Sequence, residues 1–418
     1  MIYNKIPPPE KSGRIFLVPI LNKGSKKVIK AQEYQLFAQK ILSTIFVVNY
    51  CFIMNNQRVV FLDYLRVFAC FMVMLVHACE PFYLGGLGTY IANRYDALWV
   101  TLVDSALRCA VPLFIMTSSY LLFPIKGETS AFFRRRAVRV LVPFAVWSIL
   151  YAVVPMWGCS EGFSIKQNLA NLTLNLNMHA GHLWFVYMLI GVYIAMPLLS
   201  PWIEKVSKRG EQIFLAAWGF TTLVPFLHQA ALAIFGRAEV YGEANWNEFG
   251  TLYYISGFIG YVVLAHYIRT YIDWSWKKTL LVAIPMWIAG YAVAALWFWY
   301  QIPSQYPVNE TIELAVLMEQ SWRFCSVGVA LTTVALFLIF KKINCKGALY
   351  RVVQPISKVS YGMYLMHMFV LVPAFAFISS LGIATPLVIF AVAGATFVVC
   401  SVVALAISKL PFGKYIVG

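Results

Sequence analysis

From Val59 onward the chain is a succession of apolar stretches about 20 residues long, separated by short polar loops. A stretch of that length wound as an α-helix covers ~30 Å, the thickness of a bilayer's hydrocarbon core. In hydrocarbon each backbone N–H and C=O must be satisfied within its own segment, so a repeated pattern of this kind resolves into a bundle of membrane-spanning helices. The composition agrees: 61% of the residues are hydrophobic and only 12% charged, where a soluble domain carries about 25% charge. The pattern predicts an all-α polytopic bundle of about ten helices, at 59–79, 97–122, 138–157, 182–200, 212–233, 251–268, 279–300, 322–340, 359–379 and 386–408.

The charge is distributed as membrane orientation requires. A net charge of +16 would suit a nucleic-acid partner if it formed one face, but the basic residues stand in short loops between apolar runs. Alternate loops carry Lys126, Arg134, Arg135, Arg136 and Arg139, then Lys205, Lys208 and Arg209, then Arg269, Lys277 and Lys278. The last basic loop holds Lys341, Lys342, Lys346, Arg351 and Lys358, and Lys409 and Lys414 follow the final span. The intervening loops carry only Arg94, Lys166 and Arg237, with Arg323 at a helix edge. The positive-inside rule then places both ends of the bundle in the cytoplasm. Nucleic acid is excluded as a partner, and lipid is the expected solvent.

Residues 1–53 do not share the pattern. They combine a run of three consecutive prolines, a basic polar stretch and a 13-residue apolar run, Ile41 to Ile53, too short to span and without a signal-peptide cleavage site. Met54, directly before the first conforming segment, is the expected natural start, with 54–418 as the membrane domain. The eight cysteines show no paired spacing, so neither a zinc site nor a disulfide framework is expected. A single Cys79–Cys159 bridge is the one pairing that their shared side of the membrane admits.

Ionisable residues inside spans cost a few kcal/mol each and call for a reason. In the first span Arg66 and His77 lie eleven residues apart, ~16 Å along a helix, and point within about 20° of one another. Glu80 follows His77 by one turn, in reach of its ring. Snorkelling of Arg66 to headgroups, with His77 bonded to a backbone carbonyl, would account for the same residues. The second span carries Asp104 and Arg108 on one face, either as helix glue or as part of an anion site. His179, His182 and His367 are further polar positions, none with metal-ligand spacing. Arg136 and Arg139, one turn apart where the third span is expected to begin, combine guanidinium groups with free backbone N–H groups. They suit phosphate, and equally anionic lipid.

Taken together and in order, these segments resemble acyltransferase family 3, the integral membrane O-acyltransferases. LDYLRVFACFMVMLVH carries the Arg66–His77 pair of that family's first helix, and Arg136-Ala-Val-Arg139 its RxxR loop. RCAVPLFIMTSSYLLF resembles its second helix, with Ser118-Ser119-Tyr120 where a Ser-Gly-Tyr step is usual. HLWFVYMLIGVYIAMPLLSPWI and KVSYGMYLMHMFVL complete a likeness that starts near Asn56 and leaves out the first 53 residues.

The resemblance implies an enzyme of a bacterial inner membrane, in stand-alone form. Its donor would be acetyl-CoA or another acyl-CoA, and its acceptor a hydroxyl of an envelope carbohydrate or lipid-linked sugar; no metal is implied. Arg135, Arg136 and Arg139 would then receive the donor's phosphates, with Arg108 deeper in the bundle. His77 would be general base, and Arg66 would steady the donor. Orientation of His77 by Glu80 is read from helix geometry and not from a family motif. An acyl relay through Tyr361, Tyr364 or His367 is the alternative to direct transfer. The rival class is a transporter or flippase for a polysaccharide precursor or small anion, against which stands the lack of a repeated half.

Overall fold

The computed structural model describes residues 58–418 apart from 86–87, 175–179, 238, 244–249 and 311. The short apolar run 41–53, Met54 and His179 lie outside the described residues. In chain order the helices are α1 (Val60–Cys79), α2 (Arg94–Leu107), α3 (Ala110–Leu122), α4 (Thr129–Arg136) and α5 (Val142–Val153). There follow α6 (Ile165–Leu172), α7 (Trp184–Lys205), α8 (Lys208–Thr221), α9 (Val224–Phe235), α10 (Ile259–Tyr271) and α11 (Trp276–Gln301). The last are α12 (Ile312–Met318), α13 (Val327–Lys341), α14 (Ala348–Ser379), α15 (Thr385–Ser408) and α16 (Lys414–Val417). Starts are set by side chains that occupy the first orphan amides: Asn93 accepts from Asp96 N at 2.9 Å, and Ser207 from Gly210 N at 3.1 Å.

All ten expected spans fall on helix, but not ten separate crossings. Among the described residues seven helical stretches are long and apolar enough to span, and two bent pairs bring the number to as many as nine. The expected helix 251–268 is corrected most. Its helical part is the 13-residue α10, ~20 Å long against the ~30 Å needed. The residues before it form a 3-10 segment, Gly250–Ile255. Bends of 45° separate α8 from α9, and of 41° the Ile312–Trp322 stretch from α13. At the first, Pro225 lies in the opening turn of α9, where its missing N–H is tolerated.

Helix α1 is the bundle's central element, packed on α2, α3, α13, α14 and α15. Its Leu62, Leu65, Met72 and Met74 are buried. Helices α11 and α13 approach closely, and a Cβ on Gly290 would stand 2.6 Å from the Gly328 carbonyl oxygen. Small residues at such a crossing let backbones touch where lipid supplies no hydrophobic drive.

The two ends of the bundle differ in chemistry. At one end Lys341 donates to Ile268 O at 2.7 Å, Lys342 to Trp274 O at 2.6 Å and Arg269 to Tyr120 O at 2.6 Å. There too Asp63 accepts from Tyr350 and Ser357 at 2.8 and 2.7 Å. The opposite end is closed by a small antiparallel sheet, β1 (Leu84–Gly85), β2 (Gly88–Ile91) and β3 (Val308–Glu310), in that order. Beneath it Tyr83, Ile91, Val100, Phe298, Met318 and Trp322 form a buried cluster. Cys79 is buried, Cys159 is exposed, and both are free, so the one admitted bridge is absent.

Candidate active site

The last turn of α1 delivers His77 to the end capped by the sheet. There the chain enters a 3-10 turn, Glu80–Phe82, which folds Glu80 back on the ring. The His77 Nδ1 to Glu80 Oε2 distance is 2.9 Å. A carboxylate accepts only, so Nδ1 carries the proton and a neutral ring keeps its lone pair on Nε2. Two more histidines from distant parts of the chain close on His77. His182 comes from the turn before α7 and His367 from the middle of α14. Ring centroids are 5.0 Å apart for His77–His367, 4.9 Å for His182–His367 and 6.2 Å for His77–His182. Tyr151 and Tyr364 wall the group, their rings 5.2 and 5.8 Å from His182.

Behind this centre stands a buried charge network. Arg108, in the break between α2 and α3, meets Asp104 at 2.5 Å and donates to Tyr83 Oη at 2.9 Å. Tyr83 in turn donates to Glu319 at 2.7 Å, and the guanidinium lies 4.4 Å from the Trp322 ring centre. The intrahelical pair expected from the spacing is present, and it is also a tertiary one. Through Tyr83, three residues after Glu80, Arg108 belongs to the histidine end. Among the described residues no group of three or more His, Cys, Asp or Glu is arranged to hold a metal.

The basic end presents an open cleft of about 610 Å³ lined by Glu128, Ser130, Ala131, Arg134, Arg135, Val138 and Arg139. One expectation is corrected here. Helix begins at Thr129 and runs through to Val153, so Arg136 and Arg139 are not at a helix start. Their amides are spent on the helix, and only their side chains are available to an anion. A π turn, Ala137–Leu141, interrupts the ladder just before Pro143. Proline has no N–H to offer the carbonyl four residues back, and the turn widens in response. Arg135 and Arg139 stand in the cleft, joined by Arg134, which the RxxR spacing did not single out. Arg136 turns inward instead, 5.8 Å from the Tyr193 ring centre on α7.

Between the ends, α14 supplies a row of polar side chains. Tyr361 donates to Val140 O of the π turn at 3.0 Å and its ring stacks on Tyr364 at 6.4 Å. Tyr364 donates to His182 O and its ring lies 5.8 Å from His367. Arg66 lies on α1 toward the basic end, 3.8 Å from Asp63, and is not beside His77. A second buried pair that the sequence did not single out joins Glu211 on α8 to His266 on α10 at 3.0 Å. Its only signal was one ionisable residue in each of two apolar segments.

No curated protein and no solved structure matches the chain. A family model does: that of the acyltransferase domain, acyltransferase family 3, over residues 59–405. The matched stretch takes in α1 through most of α15, and with them the histidine centre, the Arg108 network and the arginine cleft. An apolar multi-pass bundle matched over most of its length in this way belongs to acyltransferase family 3, and the chain is a membrane acyltransferase.

Proposed function

We propose that the protein transfers an acyl group, acetyl in the simplest case, from acyl-CoA to a hydroxyl of a cell-envelope carbohydrate in a bacterial inner membrane. The observation that carries this reading is the His77–Glu80 pair, a base with its orienting carboxylate at 2.9 Å, at the opposite end of the bundle from an arginine-lined cleft. The cleft suits the phosphates of coenzyme A, because guanidinium forks match phosphate oxygens. The Tyr361–Tyr364 row leads from the arginine turn toward the histidines, the direction in which a pantetheine arm would extend.

In the chemical step His77 Nε2 takes the proton of the acceptor hydroxyl as its oxygen attacks the thioester carbonyl. Glu80 stabilises the imidazolium so formed and holds the ring in the tautomer that keeps Nε2 free. Collapse of the tetrahedral adduct expels the coenzyme A thiolate, which recovers the proton from His77. Arg66, toward the basic end of α1, would steady the donor. Membranes containing the protein, supplied with isotopically labelled acetyl-CoA, should place label in envelope carbohydrate. Label confined to free acetate, or passing unchanged across the membrane, would sink the reading.

A further inference from the structure

Two of the three clustered histidines have no task in that mechanism, yet both are buried and both carry an unpartnered nitrogen. His367 is fully buried and His182 is 7% exposed. The Nε2 atoms of both find no hydrogen-bond partner among the described residues. For His367 the protonation is set by geometry. Its Nδ1 lies 2.5 Å from the Tyr364 carbonyl oxygen, which can only accept, so Nδ1 holds the proton and the neutral ring offers Nε2 as a bare acceptor. A buried acceptor left without a partner costs ~1–3 kcal/mol, so these atoms call for a partner that the chain does not supply, whether water, ion or ligand. The missing partner must be a donor. A metal is not the answer, since no group of ligating residues among those described is arranged to hold one.

We propose that His367, with His182 beside it, binds the acceptor through a second hydroxyl next to the one that His77 deprotonates. The acceptor is then a polyol with hydroxyls on adjacent carbons, and His367 determines which of them is acylated. This rests on the carbohydrate reading above and narrows it. Rings whose centroids are 5.0 Å apart can each reach, through one hydrogen bond, oxygens on neighbouring carbons of a single molecule. Both lone pairs are acceptors, so neither can satisfy the other, and two hydroxyl donors satisfy both. The Tyr151 and Tyr364 rings against His182 supply an aromatic wall for the apolar C–H face that such a ring also presents. His77 and Glu80 are the less buried members, with side chains 16% and 30% exposed, so the acceptor arrives from their side and the second hydroxyl points inward to His367.

The test uses membranes carrying the full chain as wild type, His367→Leu or His367→Gln at matched protein level, supplied with isotopically labelled acetyl-CoA. The labelled product is mapped by NMR, and acetyl-CoA affinity is measured alongside. Wild type should label one hydroxyl of an adjacent pair. His367→Leu should raise the acceptor KM at least tenfold, distribute label over both hydroxyls of the pair, and leave acetyl-CoA affinity unchanged. His367→Gln, whose amide oxygen still accepts, should restore much of the selectivity. A wild-type carbohydrate product whose labelled carbon has no neighbouring hydroxyl overturns the proposal even if neither variant folds. So does an unaltered KM and product pattern in a folded His367→Leu protein. Label on a compound that is not a carbohydrate would instead overturn the broader reading of function.

Discussion

At the basic end Arg134, Arg135 and Arg139 are exposed along an open cleft, whereas at the histidine end Asp104, Arg108, His182 and His367 are buried. Both regions concentrate ionisable groups on a bundle that is otherwise apolar, and they do so by opposite means. Exposed guanidinium groups keep their hydration and rotamer freedom, which suits capture of a soluble anion that must come and go. Buried groups give up that freedom and are held by one another: Asp104 by Arg108, Arg108 by Tyr83, Tyr83 by Glu319 and His77 by Glu80. Fixed geometry is what a proton transfer needs. If the two ends act as proposed, recognition and chemistry can be altered separately.

The largest effect should come from His77. His77→Gln can make the ring's hydrogen bonds but cannot accept a proton at neutral pH, so acceptor acylation should fall roughly 10²–10⁴-fold, with acyl-CoA affinity intact. His77→Ala should behave alike. Near-normal turnover of His77→Gln in membranes with matched protein levels would dissolve the division of labour between the ends.

Next in size is the cleft. Arg135→Ala and Arg139→Ala should each lose a charge-assisted contact of roughly 1.5–3 kcal/mol, weakening acyl-CoA binding about 10- to 150-fold. Lysine should rescue poorly, since a point charge does not reproduce the planar fork. Arg136→Ala makes the comparison sharper. Its side chain faces Tyr193, so it should lower thermal stability more than affinity. Titration with labelled acyl-CoA, read beside melting curves, separates the two.

A smaller, several-fold loss of acyl-CoA affinity is expected between about 0.1 M and about 1 M salt, as the Debye length shrinks from ~10 to ~3 Å. Single-turnover transfer from prebound donor should change little, because the histidine centre is buried. Equal sensitivity of both steps would show that the ends are not independent.

The least effect on activity should come from Gly290→Ala, whose nearest neighbours are Gly328, Leu331 and Thr332 of α13 and none of the groups assigned to either end. Its Cβ would lie 2.6 Å from Gly328 O, and overpacking of this kind costs about 1–3 kcal/mol. A lower melting temperature in detergent, with unchanged turnover per folded molecule, is the expected pair of results.

The helical bundle and its ordering were legible in the sequence because each span is a continuous apolar run, and hydrocarbon leaves the backbone no other choice. His77 with Glu80 was legible too, being a contact within one turn of helix, and so was Asp104 with Arg108. The start of the third span was not. FFRRRAVR looks like a polar loop ahead of a helix, but long side chains of this kind continue a helix readily. The free amides expected beside Arg136 were therefore already used. The length of α10 was obscured by the apolar residues of the 3-10 segment before it, since hydropathy does not distinguish the two backbones.

The sequence by itself was enough to establish that the chain crosses a membrane as helices, roughly where most of them lie, and which turn of α1 carries a base beside a carboxylate. All of these depend on residues within about twenty positions of one another. It took the packed fold to bring His182 and His367 to His77, Tyr83 and Glu319 to Arg108, Arg134 rather than Arg136 into the cleft, and Glu211 to His266. Each depends on the rotation of one helix against another. In lipid that rotation is set by close packing such as Gly290 on Gly328 and by the pairing of the polar groups themselves, neither of which leaves a periodic trace along a chain that is apolar on every side.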